Sequence, residues 1–198
     1  MGDDERGRER QARDADRRQR ERAIVAELER GDEPELPVAP ADLADLESAL
    51  EDLSFPVTGS DLVADIGDRE IASAGGQYRL EELLPETERE TFDSPAAVRV
   101  QVQRPRVASA MKRVVEAAAT LGDPPIWAQR RAYEKTFREL AAVDPEDDDE
   151  GIRAIADWIV ERVREDGTIP SSRAVRREAA RFCRANGHRV RDDEWLGV

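Results

Sequence analysis

Leu43-Ala44-Asp45-Leu46-Glu47-Ser48-Ala49-Leu50-Glu51-Asp52-Leu53 repeats leucine at intervals of three and four residues. A turn of 3.6 residues returns every third or fourth side chain to the same side, so this stretch predicts an amphipathic helix starting near Ala41 and stopped by Phe55-Pro56. A single leucine stripe must be covered by other elements, and the following residues supply them. Thr58-Gly59-Ser60-Asp61 caps a short second helix carrying Leu62, Val63 and Ile66. Glu70-Ile71-Ala72-Ser73 and Tyr78-Arg79-Leu80 flank the pair Gly75-Gly76 and read as a β-hairpin turned at the glycines. Leu80, Leu83 and Leu84 begin another short helix, which Pro85 ends. Ser94 before Pro95 is a helix start, with proline at a first position whose N–H has no intrahelical acceptor to lose. Val98 and Val102 continue that helix inward, Gln103-Arg104-Pro105 breaks it, and Val107, Met111, Val114, Val115 and Ala118 mark the apolar face of the next helix, ending at Gly122. The expected fold class is mainly α, helical modules with one small β-hairpin near residues 70–80.

The order of these signals, a leucine helix, Phe55-Pro56-Val57-Thr58, a Leu62-Val63 helix, then Thr91-Phe92-Asp93-Ser94-Pro95-Ala96-Ala97-Val98, resembles domain-of-unknown-function family 2795 and its haloarchaeal relative 5789 over residues 42–105. The relative includes a hairpin segment like Asp68-Arg69-Glu70-Ile71. The resemblance implies a compact helical module with no established activity and no catalytic residues to carry over, and it is in keeping with salt adaptation.

Asp123-Pro124-Pro125 separates a second helical unit. Trp127, Tyr133, Phe137 and Leu140 lie along one helix, interrupted by Gln129, Arg130 and Arg131, and aromatic residues at that spacing are core. Ile152, Ile155, Ala156, Ile159 and Val163 mark the next. Gly167-Thr168-Ile169-Pro170-Ser171-Ser172 turns the chain into a last helix from Arg173 to Asn186, closed by Gly187. Val175, Ala179, Phe182 and Cys183 share one face of it; Arg173, Arg177, Arg181 and Arg184 share the opposite one, with Arg176 at the side. Helix, turn and arginine-bearing helix are similar to a helix-turn-helix. The expected organisation is a charged N-terminal helix and linker start over 1–34, a small helical module with the hairpin over 35–122, and a C-terminal helical unit over 123–198.

The leader, 3–30, lacks proline and carries acid-before-base pairs four residues apart such as Glu9→Arg13, so it reads as a solvated helix, with a partner-binding or nucleic-acid arm as the alternative. Three prolines in 31–40 make the segment after it an extended linker. Across the chain, 45 Asp and Glu face 31 Lys and Arg, a net charge of −14, and Lys112 and Lys135 are the only lysines. An acidic surface nearly stripped of lysine suits a protein that stays hydrated in a salt-rich cytosol. The excess is concentrated: residues 1–30 are neutral, 31–150 carry −16 and 151–198 carry +2. Most carboxylates are therefore expected to serve solvation.

Cys183 is the lone cysteine and His188 the lone histidine, which excludes an intrachain disulfide, multi-cysteine metal sites and histidine-based metal sites. Glu146, Asp148, Glu150, Gly151 and Asp157 fall at calcium-loop spacing, but the first and last positions carry the wrong acid and the segment is already helical. No phosphate loop, dinucleotide fingerprint or nucleophile elbow occurs. No apolar run approaches the roughly 18 residues of a membrane span, and the charged start has no signal-peptide core. The expectation is a cytoplasmic, non-catalytic protein with no cofactor and no membrane association, which presents surfaces to a protein partner. The alternative is a DNA- or RNA-associated regulator using Arg173, Arg176, Arg177, Arg181 and Arg184.

Overall fold

Pro40–Leu43 form a 3-10 turn that runs into helix α1, Ala44–Glu51. Leu43, Leu46 and Leu50 of this segment are buried, while Leu53 lies beyond the helix and is partly covered. The computed structural model describes residues 38–73, 75–122, 126–143 and 149–188, except the side chain of Trp127. The expected leader helix, most of the proline linker, the Asp123–Pro125 junction, Glu146 and Asp148 lie outside these residues. The described residues fall within one compact unit, Pro34–Val198.

After a cis Phe55–Pro56 peptide, strand β1 (Val57–Thr58) leads into α2 (Gly59–Ile66), where the Thr58 hydroxyl accepts from the Asp61 N–H at 3.1 Å. Strands β2 (Glu70–Ser73) and β3 (Gly76–Arg79) form the expected hairpin, pairing Ile71 with Tyr78 and Ser73 with Gly76. Gly76 has φ +130°, open only to a residue without a Cβ. The expected short helix follows as a single 3-10 turn, Leu80–Glu82. Strand β4 (Thr91–Phe92) then returns to β1, pairing Val57 with Phe92 and Thr58 with Thr91. This second sheet was not anticipated.

Helix α3 (Pro95–Val102) is capped by Ser94, whose hydroxyl accepts from the Ala97 N–H. It breaks at Gln103-Arg104 before Pro105 opens α4 (Pro105–Ala119). The C-terminal elements are α5 (Ile126–Val143), α6 (Glu150–Asp166) and α7 (Ser172–Ala185). Among the described residues, the fold is mainly α-helical with two small two-stranded antiparallel sheets.

Two apolar clusters hold these elements. The first gathers α1, α2, the hairpin and α3 around Leu46, Leu62, Ile71, Leu80 and Val98; the second gathers α4 to α7 around Met111, Tyr133, Phe137, Ile155, Ile159 and Val175. Fully burying one such aliphatic or aromatic side chain contributes roughly 1.5 to 3 kcal/mol. Helix α4 serves both, since Val107 packs in the second cluster and the next residue, Ala108, in the first.

Candidate functional site

The arginine-bearing helix is set by its neighbours. Helix α6 ends where Gly167 adopts a left-handed φ of 64° and donates to the Val163 carbonyl at 3.1 Å. Ser171 caps α7, its hydroxyl accepting from the Ala174 N–H at 3.3 Å. Helix α5 grips the turn from the side: the buried Tyr133 hydroxyl donates to the Pro170 carbonyl, and the Ser172 N–H donates to Gln129 Oε1 at 3.0 Å. Burial pushes the Tyr133 phenol well above its ordinary range, so it stays a protonated donor. At the far end, Gly187 has φ 76° and the His188 N–H donates to the Cys183 carbonyl at 2.9 Å.

Val175, Ala179, Ala180 and Cys183 of α7 are buried, and Phe182 packs partly against the same cluster. Arg173, Arg177, Arg181 and Arg184 are exposed. At about 100° per residue these four fall within an arc of about 80°. Arg176 is separate: it is half-buried, and its Nε is shielded from water without a hydrogen-bond acceptor. Arg181 pairs with Glu178 of the same helix. Among the described residues, no acidic side chain from another element pairs with Arg177, Arg181 or Arg184.

Beside α7, a cleft of about 970 Å³ is lined by Asp157, Glu161, Arg164 and Glu165 of α6, by Arg113 and Glu116 of α4 and by Glu178, five carboxylates against two arginines. Carboxylates therefore border the arginine stripe on the Glu178 side. Glu150, Gly151 and Asp157, proposed positions of a calcium loop, all lie on α6, and Asp157 pairs with Arg113. A helix cannot wrap those groups around one ion. Among the described residues, no three His, Cys, Asp or Glu side chains are grouped to hold a metal. Cys183 is buried in the core, where desolvation pushes its thiol up and away from the reactive thiolate.

A second site was not legible as such in the sequence. A groove of about 650 Å³ opens between β4 with α3, α4 and α5. Phe92, Val100, Val107 and Met111 give it apolar walls; Arg104, Arg130, Arg131, Arg138, Glu90 and Glu134 line it with charge, Arg130 being paired with both glutamates. Val100, at its rim, is 66% exposed, the exposed large aliphatic side chain among the described residues. Arg130 organises the floor. It donates to Glu90 Oε1 at 2.6 Å, to Glu134 Oε1 at 3.1 Å and to Gln101 Oε1, while Gln101 Nε2 donates to the Leu83 carbonyl at 3.2 Å.

Glu90 is 3% exposed and its Oε2 has no donor. Burial pushes its carboxyl up, against the downward pull of Arg130. Burial alone would lower the Arg130 guanidinium, but Glu90 and Glu134 more than offset it, so the cation is held in place. The sequence carried one sign of this: Arg130 sits on the Ile126, Tyr133, Phe137 stripe, where a core residue belongs.

A family model described as a family of unknown function, DUF5789, matches residues 40–114. The match covers fewer than half of the 198 residues, from the Pro40 turn to Val114 in α4. It supports the 5789 resemblance and lends nothing to family 2795. Glu90, Gln101 and Arg104 of the groove lie inside the matched stretch; Arg130 and the whole of α7 lie outside it. No curated protein and no solved structure matches the chain.

Proposed function

We propose that this is a non-catalytic interaction protein of a salt-rich cytosol, and that the groove between α3, α4 and α5 receives an acidic, partly apolar segment of a protein partner. One observation carries the reading: a cleft rimmed by the exposed Val100 is lined by four arginines and two glutamates in a molecule of net charge −14. A carboxylate-bearing segment meets complementary charge there, and an apolar side chain beside it would cover Val100 and the wall at Phe92 and Met111. Its walls come from both the module proposed over 35–122 and the unit proposed over 123–198, so docking would span the two.

Among the described residues, no helix is long and apolar enough to cross a membrane. The test is capture of the tagged protein from high-salt lysate, with and without nuclease. The expected result is a stoichiometric protein partner that survives nuclease and is lost when Val100→Asp and Arg131→Glu are combined. Repeated recovery of the bare protein, or a partner indifferent to both substitutions, contradicts the proposal.

A further inference from the structure

We infer that α7 is a recognition helix for double-stranded DNA, which lays its arginine stripe along the major groove. The inference is independent of the partner groove, since α7 contributes nothing to that groove's lining.

The helix is built for presentation. Its buried residues, Val175, Ala179, Ala180 and Cys183, fix which way it faces, and Tyr133 and Gln129 of α5 fix where it starts. The helix itself therefore needs no reorganisation on binding, although Arg181 must leave Glu178. Arg173 and Arg177 lie in the first turns after the Gly167–Ser171 bend, the part of a second helix that meets base edges in a helix-turn-helix arrangement. Arg173 to Arg184 extends about 16 Å along the axis.

Charge and width select the occupant. Helix α7 carries five arginines and one glutamate in a chain of net charge −14, so it suits a polyanion. The stripe is only one helix wide and is bordered by Glu178 and the acidic cleft behind it. A broad acidic protein face would meet those carboxylates; a helix inserted into a groove would keep them at its edge. The B-form major groove, about 12 Å wide, admits an α-helix. The deep, narrow major groove of A-form RNA does not.

Salt then decides what kind of contact must dominate. With log K falling by about 0.9 per phosphate neutralised, each phosphate contact weakens roughly twentyfold between about 0.1 and 3 M salt. Binding in a salt-rich cytosol must therefore come largely from arginine forks on guanine O6 and N7, which keep their geometry when screening is strong.

The test titrates the full chain with a mixed-sequence, guanine-containing DNA duplex and with the RNA duplex of the same sequence, by fluorescence anisotropy from about 0.3 M KCl upward. The expected slope of log K against log salt is shallow, no steeper than about −2, for the wild type, and replacing Arg177→Gln with Arg184→Gln weakens binding at least about tenfold at every salt concentration. The RNA duplex is expected to bind at least about tenfold more weakly. Arg177→Lys with Arg184→Lys is expected to keep the slope while losing preference for guanine-containing duplexes, a readout that general destabilisation would not move. Circular dichroism checks that the exposed substitutions leave the fold intact. Absence of DNA binding, an affinity unchanged in the glutamine variant, equal affinity for RNA, or an acidic protein captured through Arg177 and Arg184 without DNA binding would each overturn the inference. Val100→Asp should leave the DNA titration untouched, which separates this result from failure of the partner groove.

Discussion

A Cβ added at Gly59 would lie 2.1 Å from the Pro85 carbonyl oxygen and 3.0 Å from that of Thr87. Main-chain oxygens cannot swing aside as a flexible side chain can, so Gly59→Ala is expected to cost about 1 to 3 kcal/mol, seen as a lower urea midpoint at unchanged slope. The sequence explains Thr58 as a cap but gives no hint of this constraint, because the carbonyls arrive from a loop 26 residues onward. Arg130 makes the opposite case, in which a charge on a core stripe is visible and only its partners are hidden. Arg130→Ala would strand Glu90 as a buried unpaired carboxylate and is expected to cost roughly 3 kcal/mol or more. The raised carboxyl of Glu90 also fixes a sign with pH. A folded-state value above the unfolded one means that Glu90's contribution is fully present below the ordinary 4.5 and is lost as pH rises through the raised value. The stability of the wild type relative to Glu90→Gln should therefore fall as urea titrations step upward from that pH. A difference that grows with pH would show that Arg130, not burial, governs the carboxyl.

At the scale of elements, helix starts and stops were legible because each depends on a few adjacent residues. Thr58, Ser94-Pro95, the Pro105 break and Gly187 all act where the local pattern places them. The β1–β4 sheet was not legible: two strands of two residues each are too short for alternation, and their pairing is decided by packing across the first cluster. The groove was hidden for a similar reason, since β4, α3, α4 and α5 each contribute only part of it. The arginine face of α7 could be read because it lies on one helix, yet what holds the start of that helix is the remote Tyr133, together with Gln129. Tyr133→Phe would leave the Pro170 carbonyl without its donor and is expected to cost about 1 to 2 kcal/mol. Because it loosens the turn and leaves every arginine in place, it should also weaken duplex binding by α7 in the same anisotropy titration. Equal affinity in the variant would show that the α5 contact serves stability alone.

For the whole molecule, the net charge of −14 is the property read from sequence without any structural help. Repulsion among the carboxylates is screened within about 3 Å at 1 M salt but reaches about 10 Å at 0.1 M. Thermal unfolding followed by circular dichroism should therefore show a melting temperature that falls as KCl is lowered from about 1 to 0.1 M. A melting temperature indifferent to salt would remove the salt-adapted reading. Composition also set the expectation of a non-catalytic protein, but no composition could suggest a docking groove; that proposal rests on Val100 and Arg130 lining one cleft. The central claim, that the groove is a protein-docking site, is tested most directly by a photo-crosslinking side chain at position 100 in cells grown at high salt. A discrete protein adduct is expected there, resistant to nuclease and abolished by Arg131→Glu; no protein adduct at position 100, or one unchanged by that substitution, would rule out docking in the groove.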